Sequence, residues 1–185
     1  LTLIVVTGVY IASGLLFFWL ARSRRLGLAL AFGALAGGLA GAALAAPPQC
    51  QEESRYFCLR IEDISANPDS PVRLMVIDHL AHGISARDLP RVQFTEHTAM
   101  LDALARQRAT RPDFTSFHIG GGNYAVPRAF ADHGTGPITV AEIDPAVTEM
   151  AARAFWFDPD TAQVLHEDAR RALLTRPDAR YDIII

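Results

Sequence analysis

The chain has 185 residues, room for one ordinary domain. It contains no lysine, which excludes Schiff-base chemistry and lysine-based phosphate loops. Its formal net charge of −3 hides an uneven split: all 20 acidic residues and 14 of the 17 arginines lie beyond Pro47. The later part is therefore acidic by about six charges, which argues against nucleic-acid binding.

Residues 2–21 and 26–46 are two uncharged, mostly apolar runs of 20 and 21 residues. Each is long enough to cross roughly 30 Å of hydrocarbon as a helix. A cleaved signal peptide fits two full-length runs poorly; a buried helical hairpin is the other reading. Gly33, Gly37 and Gly41 recur every four residues, a spacing that lets a neighbouring helix come close. The intervening "RSRR" loop is expected on the cytoplasmic side of a multi-pass cell-membrane protein. That would send the later part across, an arrangement at odds with an intracellular cofactor, so its side stays open. Cys50 and Cys58 pair if this part faces outward and stay free thiols if it faces inward; their spacing fits no metal site.

After the double proline at 47–48, "RYFCLRIED" (55–63) and "VRLMVID" (72–78) flank turn chemistry and predict a β-hairpin. Residues 94–109 have a helical pattern, with Phe94, Met100, Leu101, Leu104 and Ala105 able to share a face. The rhythm then shortens. Strands are expected at 115–119, 138–143, 162–167 and 181–185, with helices at 124–133, 145–156 and 169–175. This alternation predicts a parallel sheet of βαβ units. "YDIII" (181–185) reads as a central strand buried on both faces.

In such a sheet, ligands bind beyond the carboxyl ends of the strands. Gly120, Gly121 and Gly122 stand there after the first strand, and Gly120, Gly122 and Ala125 satisfy the G-x-G-x-x-G/A spacing. A plain tight turn is the competing reading of the glycines alone. Glu142 ends the second strand, where a carboxylate can accept both ribose hydroxyls. Asp168 follows the third, where it can accept from an adenine amino group while the Ala169 N–H donates to a ring nitrogen. Together the three strand ends describe a nucleoside site; a nicotinamide dehydrogenase leaves Asp168 without a role. Asp144 is read as the cap of the helix starting at Pro145.

The series "IGGGNYAVPR…ITVAEIDPAVTEMA…HEDARRAL…YDIII" resembles the spermidine synthase (polyamine aminopropyltransferase) family, most of all its membrane-fused branch. "CQEESRYFCLRIED" and "LMVIDHLAHGISARDLPRVQFTEHTAML" are similar to that branch's N-terminal β-unit and linking helix. The resemblance implies an α/β, Rossmann-like class I methyltransferase-type sheet, preceded by a small β-unit and two transmembrane helices. Three parts are expected: membrane helices at 1–46, the end of a longer membrane region; the β-unit and linking helix at 47–110; and a C-terminally truncated nucleoside-binding domain at 111–185. The chain starts on Leu and stops within an apolar run, as expected of a piece of a longer protein.

The resemblance further implies decarboxylated S-adenosylmethionine as co-substrate, no metal, and a polyamine such as putrescine as acceptor. By position, Gly120, Gly121, Gly122 and Asn123 would cradle the nucleoside and its chain, Glu142 the ribose, and Asp168 with Ala169 the adenine. Asn123, Thr95 and Glu96 would face the amine. The family's catalytic aspartate follows the strand matched by "YDIII", so it is expected after Ile185, and residues 1–185 alone are expected to be inactive. The membrane is an expected partner through residues 1–46, nucleic acid is not, and self-association stays open. Three positions depart from the family pattern. Asn123 stands where soluble members carry an aspartate, Phe57 replaces a nucleoside-binding glutamine, and Thr95 replaces a polyamine-contacting histidine. A methyltransferase using intact S-adenosylmethionine, or a non-catalytic sensor of nucleoside or polyamine attached to a transporter-like membrane region, are the alternatives. His79, His82, His97, His118 and His166 are read as surface or packed side chains.

Overall fold

The computed structural model describes residues 2–22, 26–45 and 50–185; the arginine loop at 23–25 and the double proline at 47–48 lie outside the described residues. The chain divides into two compact units, Leu1–Pro48 and Gln49–Ile185.

In the first unit, α1 (Thr2–Arg22) and α2 (Leu26–Ala45) pack against each other. Of the glycine stripe, only Gly33 is in close contact: a Cβ there would sit 3.3 Å from the Phe17 ring, whereas Gly37 and Gly41 face open space. Val9, Ile11, Leu15, Phe18, Leu35 and Leu39 are all exposed. Among the described residues no helix is long and apolar enough to cross a membrane. The two-span expectation therefore rests on the sequence.

The second unit begins with an antiparallel sheet in the order β1 (Glu52–Glu53), β2 (Cys58–Asp63), β3 (Val72–Ile77), β4 (Leu80–Ala86). The predicted hairpin is β2–β3, with Leu59 opposite Ile77 and Asp63 opposite Arg73. A disulfide joins Cys50 to Cys58 and closes the loop that carries β1. β4 escapes sequence reading because its turn is only Asp78 and His79, Asp78 being left-handed at φ 56°, and because Gly83 weakens its strand pattern.

The helix α3 (Glu96–Arg108) forms, and its expected face turns inward only in part, at Ala105 and Leu101. Met100 is 57% exposed and Leu104 44%, while Asp102 and Ala105 are buried. Asp102 tolerates burial because Arg106, one turn on, grips both its oxygens at 3.2 Å through Nε and one at 2.6 Å through Nη2.

The parallel sheet follows in the order β7 (Gln163–Leu165), β6 (Ile138–Ala141), β5 (Ser116–Ile119), β8 (Ile183–Ile184). Helices α4 (Ala125–His133), α5 (Pro145–Ala154) and α6 (Ala169–Leu174) connect its strands. By position in the sheet this is the 3-2-1-4 arrangement of a doubly wound fold, which confirms the α/β expectation. Of the inner strands, β6 is buried throughout and β5 is buried except at Ile119. β8 pairs with β5 among the described residues, and Ile184 is 55% exposed, so these residues leave the expectation of a central strand untested.

One core unites the two sheets: Leu59, Met75 and Ile77 pack in the same cluster as Phe130, Val140 and Met150. Arg73 on β3 donates to the Ala154 carbonyl at 2.8 Å and lies 5.0 Å above the Trp156 ring. Arg128 on α4 donates to the Ala86 and Arg87 carbonyls at 2.8 and 2.6 Å.

Candidate functional site

In a doubly wound sheet the crevice opens where strand order reverses. Here that is between β5, which ends at Ile119, and β8, which Ile185 follows. Both residues line a cavity of about 510 Å³, a size that suits a small molecule. The glycine loop forms its floor. Gly120 and Gly122 have φ of 85° and 53°, which favours glycine. Gly121 is glycine for another reason: a Cβ there would collide with the Tyr124 ring.

Tyr124 is the anchor of the loop. It is fully buried, stacks on Phe157 with centroids 4.1 Å apart, and shares a 2.7 Å hydrogen bond with Thr148. Burial pushes its phenol well above the ordinary range, and the Thr148 bond opposes this only in part. It holds φ 58° just ahead of α4, so the turn from β5 into the helix is tight.

Glu142, at the end of β6, is buried and lines the same cavity. Its Oε2 accepts the Gly121 N–H at 2.8 Å and its Oε1 accepts the Asp144 N–H at 3.0 Å. Each oxygen keeps a second lone pair for a ligand hydroxyl. Asp144 caps α5 as expected, accepting from Ala146 N at 3.1 Å ahead of Pro145. Its other oxygen accepts from Ser54 Oγ at 2.5 Å, which ties the disulfide-closed loop to the glycine-loop side of the sheet.

The structure thus brings Gly120, Gly121, Gly122, Asn123 and Glu142 to one cavity. It does not bring four other expected residues to that wall. Asp168 caps α6, accepting the Arg171 N–H at 2.9 Å, and with Ala169 lies outside the lining. Thr95 precedes α3 and shares a hydrogen bond with Thr98, and both Thr95 and Glu96 lie outside the lining. The next turn of α3 supplies His97, Thr98 and Leu101 instead. Asn123 is buried, and donates from Nδ2 to Ser85 Oγ at 3.0 Å. Its amide links the loop to β4 rather than standing free.

Three histidines line the cavity: His82 from β4, His97 from α3 and His118 from β5. Only His118 is buried, against Phe130 and 3.1 Å from Ser116 Oγ, and burial pushes its pKa down to about 4. Nothing in their sequence spacing marks them as neighbours. Phe57 also faces the cavity. Among the described residues no group of three His, Cys, Asp or Glu is placed to hold a metal.

Comparison with solved structures finds a probable spermidine synthase from Corynebacterium glutamicum at TM-score 0.57 and 21% identity, matched over 69% of this chain and 47% of that one. A spermidine synthase from Thermotoga maritima matches at TM-score 0.46 and 18% identity, over 72% of this chain and 45% of that one. Human methyltransferase-like protein 13, solved with SAH, matches at TM-score 0.42 and 27% identity, over 49% of this chain and 46% of that one. The first likeness shows a shared α/β fold. The chain spans about half the length of these proteins. No protein-family model and no curated protein matches it.

Proposed function

We propose that residues 50–185 form the nucleoside-binding part of a spermidine synthase-like transferase. It would move an aminopropyl group from decarboxylated S-adenosylmethionine to an amine. The observation that carries this reading is the buried Glu142 carboxylate, fixed by the Gly121 N–H at the strand-order reversal and open to a cavity. Such a carboxylate suits a pair of ribose hydroxyls, and the positive-φ loop beside it admits a sulfonium chain close to the backbone. Asp168 and Ala169 remain the proposed adenine contacts, and Asn123, Thr95 and Glu96 the amine side.

In the reaction, the lone pair of a neutral amine attacks the carbon next to the sulfonium sulfur. A C–N bond forms, the C–S bond breaks, and its electrons return to sulfur, releasing methylthioadenosine. An alkylamine with a pKa of about 10.4 is mostly protonated near pH 7, so a base must take its proton. The proposed base is an aspartate beyond residue 185. Residues 1–46 are proposed as two membrane helices, a reading that rests on the sequence, on its two long uncharged runs and its lack of acidic residues. The Cys50–Cys58 pair supports an oxidising surrounding for the soluble part.

Calorimetric titration of methylthioadenosine into the full-length protein tests the donor: saturable binding that Glu142→Gln weakens is expected, and no binding sinks the reading. The neutral Asn123 at the chain end of the loop favours one second reading, a methyltransferase that accepts the carboxylate of intact S-adenosylmethionine. Competition between the two donors separates them.

A further inference from the structure

Two carboxylates lie two residues apart after β6, and both are buried: Glu142 is 6% exposed and Asp144 2%. A carboxylate away from water needs donors on its oxygens. Glu142 has two backbone N–H groups, those of Gly121 and Asp144. Asp144 has the Ala146 N–H on Oδ1, and its Oδ2 is met from the turn after β1 by Ser54 Oγ at 2.5 Å. Among the described residues Ser54 is the only side chain that donates to either carboxylate.

Ser54 is itself held in place. Its Oγ accepts the Tyr56 and Phe57 N–H groups at 3.0 and 2.9 Å. A hydroxyl has one proton to give. The Phe57 carbonyl lies 3.2 Å from Oγ and already accepts the Ser54 N–H, so the closer, charged Asp144 takes it. The same turn carries Phe57 to the cavity wall, inside the loop that the Cys50–Cys58 disulfide closes. One oxygen atom thus joins this turn to Asp144, whose N–H meets Glu142, whose other oxygen holds Gly121.

We infer that Ser54 is a positioning residue for the Glu142 carboxylate, fixing its aim through Asp144. Without the hydroxyl, Asp144 Oδ2 is buried with no donor, and the penalty is greatest for a charged group. Turning that carboxylate toward water takes Oδ1 off the α5 cap and disturbs the N–H that Asp144 gives to Glu142. The effect on a bound ribose rests on the transferase reading; the link from Ser54 to the glycine loop does not.

Two measurements on full-length protein test this: calorimetry with methylthioadenosine, and hydrogen exchange at the Gly121 amide read by mass spectrometry. Ser54→Ala is expected to weaken binding about tenfold and to speed Gly121 exchange about tenfold. Ser54→Thr keeps the hydroxyl and should stay within about threefold of the parent on both. In a Glu142→Gln background the binding cost of Ser54→Ala should shrink below about threefold, because the carboxylate it aims is gone. An undiminished cost there means that Ser54 acts through Phe57 alone and overturns the inference. Unchanged Gly121 exchange in Ser54→Ala overturns it too, as does an equal loss in Ser54→Thr. Where Ser54→Ala does not fold, Asp144→Asn keeps the cap but removes the charge that draws the Ser54 proton. It should speed Gly121 exchange in the same direction, and no change sinks the inference. If methylthioadenosine fails to bind the parent, the donor reading falls and the exchange measurement alone decides the role of Ser54.

Discussion

Glu142 and Gly121 are joined by a 2.8 Å hydrogen bond from the glycine N–H to the carboxylate, across 21 residues of chain. The bond fixes the loop after β5 against the end of β6. Glu142→Gln replaces one accepting oxygen by an amide that donates, so it must face either the Gly121 N–H or the Asp144 N–H donor to donor. We expect a loss of about 1–3 kcal/mol in stability. Methylthioadenosine affinity should fall by about tenfold or more. Chemical denaturation and calorimetry on one preparation measure both.

The glycine at 121 can be tested apart from any ligand. Gly121→Ala forces a methyl into the buried Tyr124 ring, which cannot swing away because Phe157 and Thr148 hold it. Overpacking of this kind costs about 1–3 kcal/mol. Gly120→Ala meets no atom but must hold φ 85°, at a cost of about 1–2 kcal/mol. Equal melting temperatures for both variants and the parent would refute this account of the loop.

How much of this was legible in the sequence depended on the kind of interaction. The glycine loop, Glu142 and the Asp144 cap are backbone-level devices with fixed spacing, and they fell where expected. The face of α3 was read correctly at Ala105 and Leu101 but not at Met100 and Leu104, because apolar periodicity cannot see that Arg106 makes burial of Asp102 acceptable. The links Ser54 to Asp144 and Asn123 to Ser85 join side chains 90 and 38 residues apart. Such pairs are set by how two sheets pack, and no local pattern announces them. The histidine-lined wall was hidden for the same reason, since its three residues come from three elements.

His118 makes stability depend on pH. The folded form holds its imidazole neutral down to about pH 4, whereas the unfolded chain takes up the proton near 6.5. The contribution is therefore complete above about pH 6.5 and declines as pH falls toward 4, by at most about 3 kcal/mol. His118→Gln can keep a bond to Ser116 without titrating. Urea melts of both proteins at about pH 7 and about pH 4.5 should show the parent losing more stability than the variant. Parallel losses would remove His118 from this role.

The Cys50–Cys58 bond closes the loop that carries Ser54 to Asp144, Glu52 to Arg153 and Phe57 to the cavity. Replacing both cysteines by alanine should cost about 2 kcal/mol, near the lower end for disulfides because the loop is short. It should also weaken ligand binding, since Phe57 is then less firmly placed. A variant with unchanged melting and unchanged affinity would show the loop to be held by its other contacts alone.

Gly83 lies so near Asn123 that a methyl group on it would overlap the amide. These two positions, one on β4 and the other in the loop after β5, must therefore vary together. A chimera that grafts the antiparallel sheet of a relative onto this parallel one will fold only if it brings a compatible partner for residue 123. Recombination breakpoints between 83 and 123 should be rare among viable hybrids, whatever the donor of the grafted half.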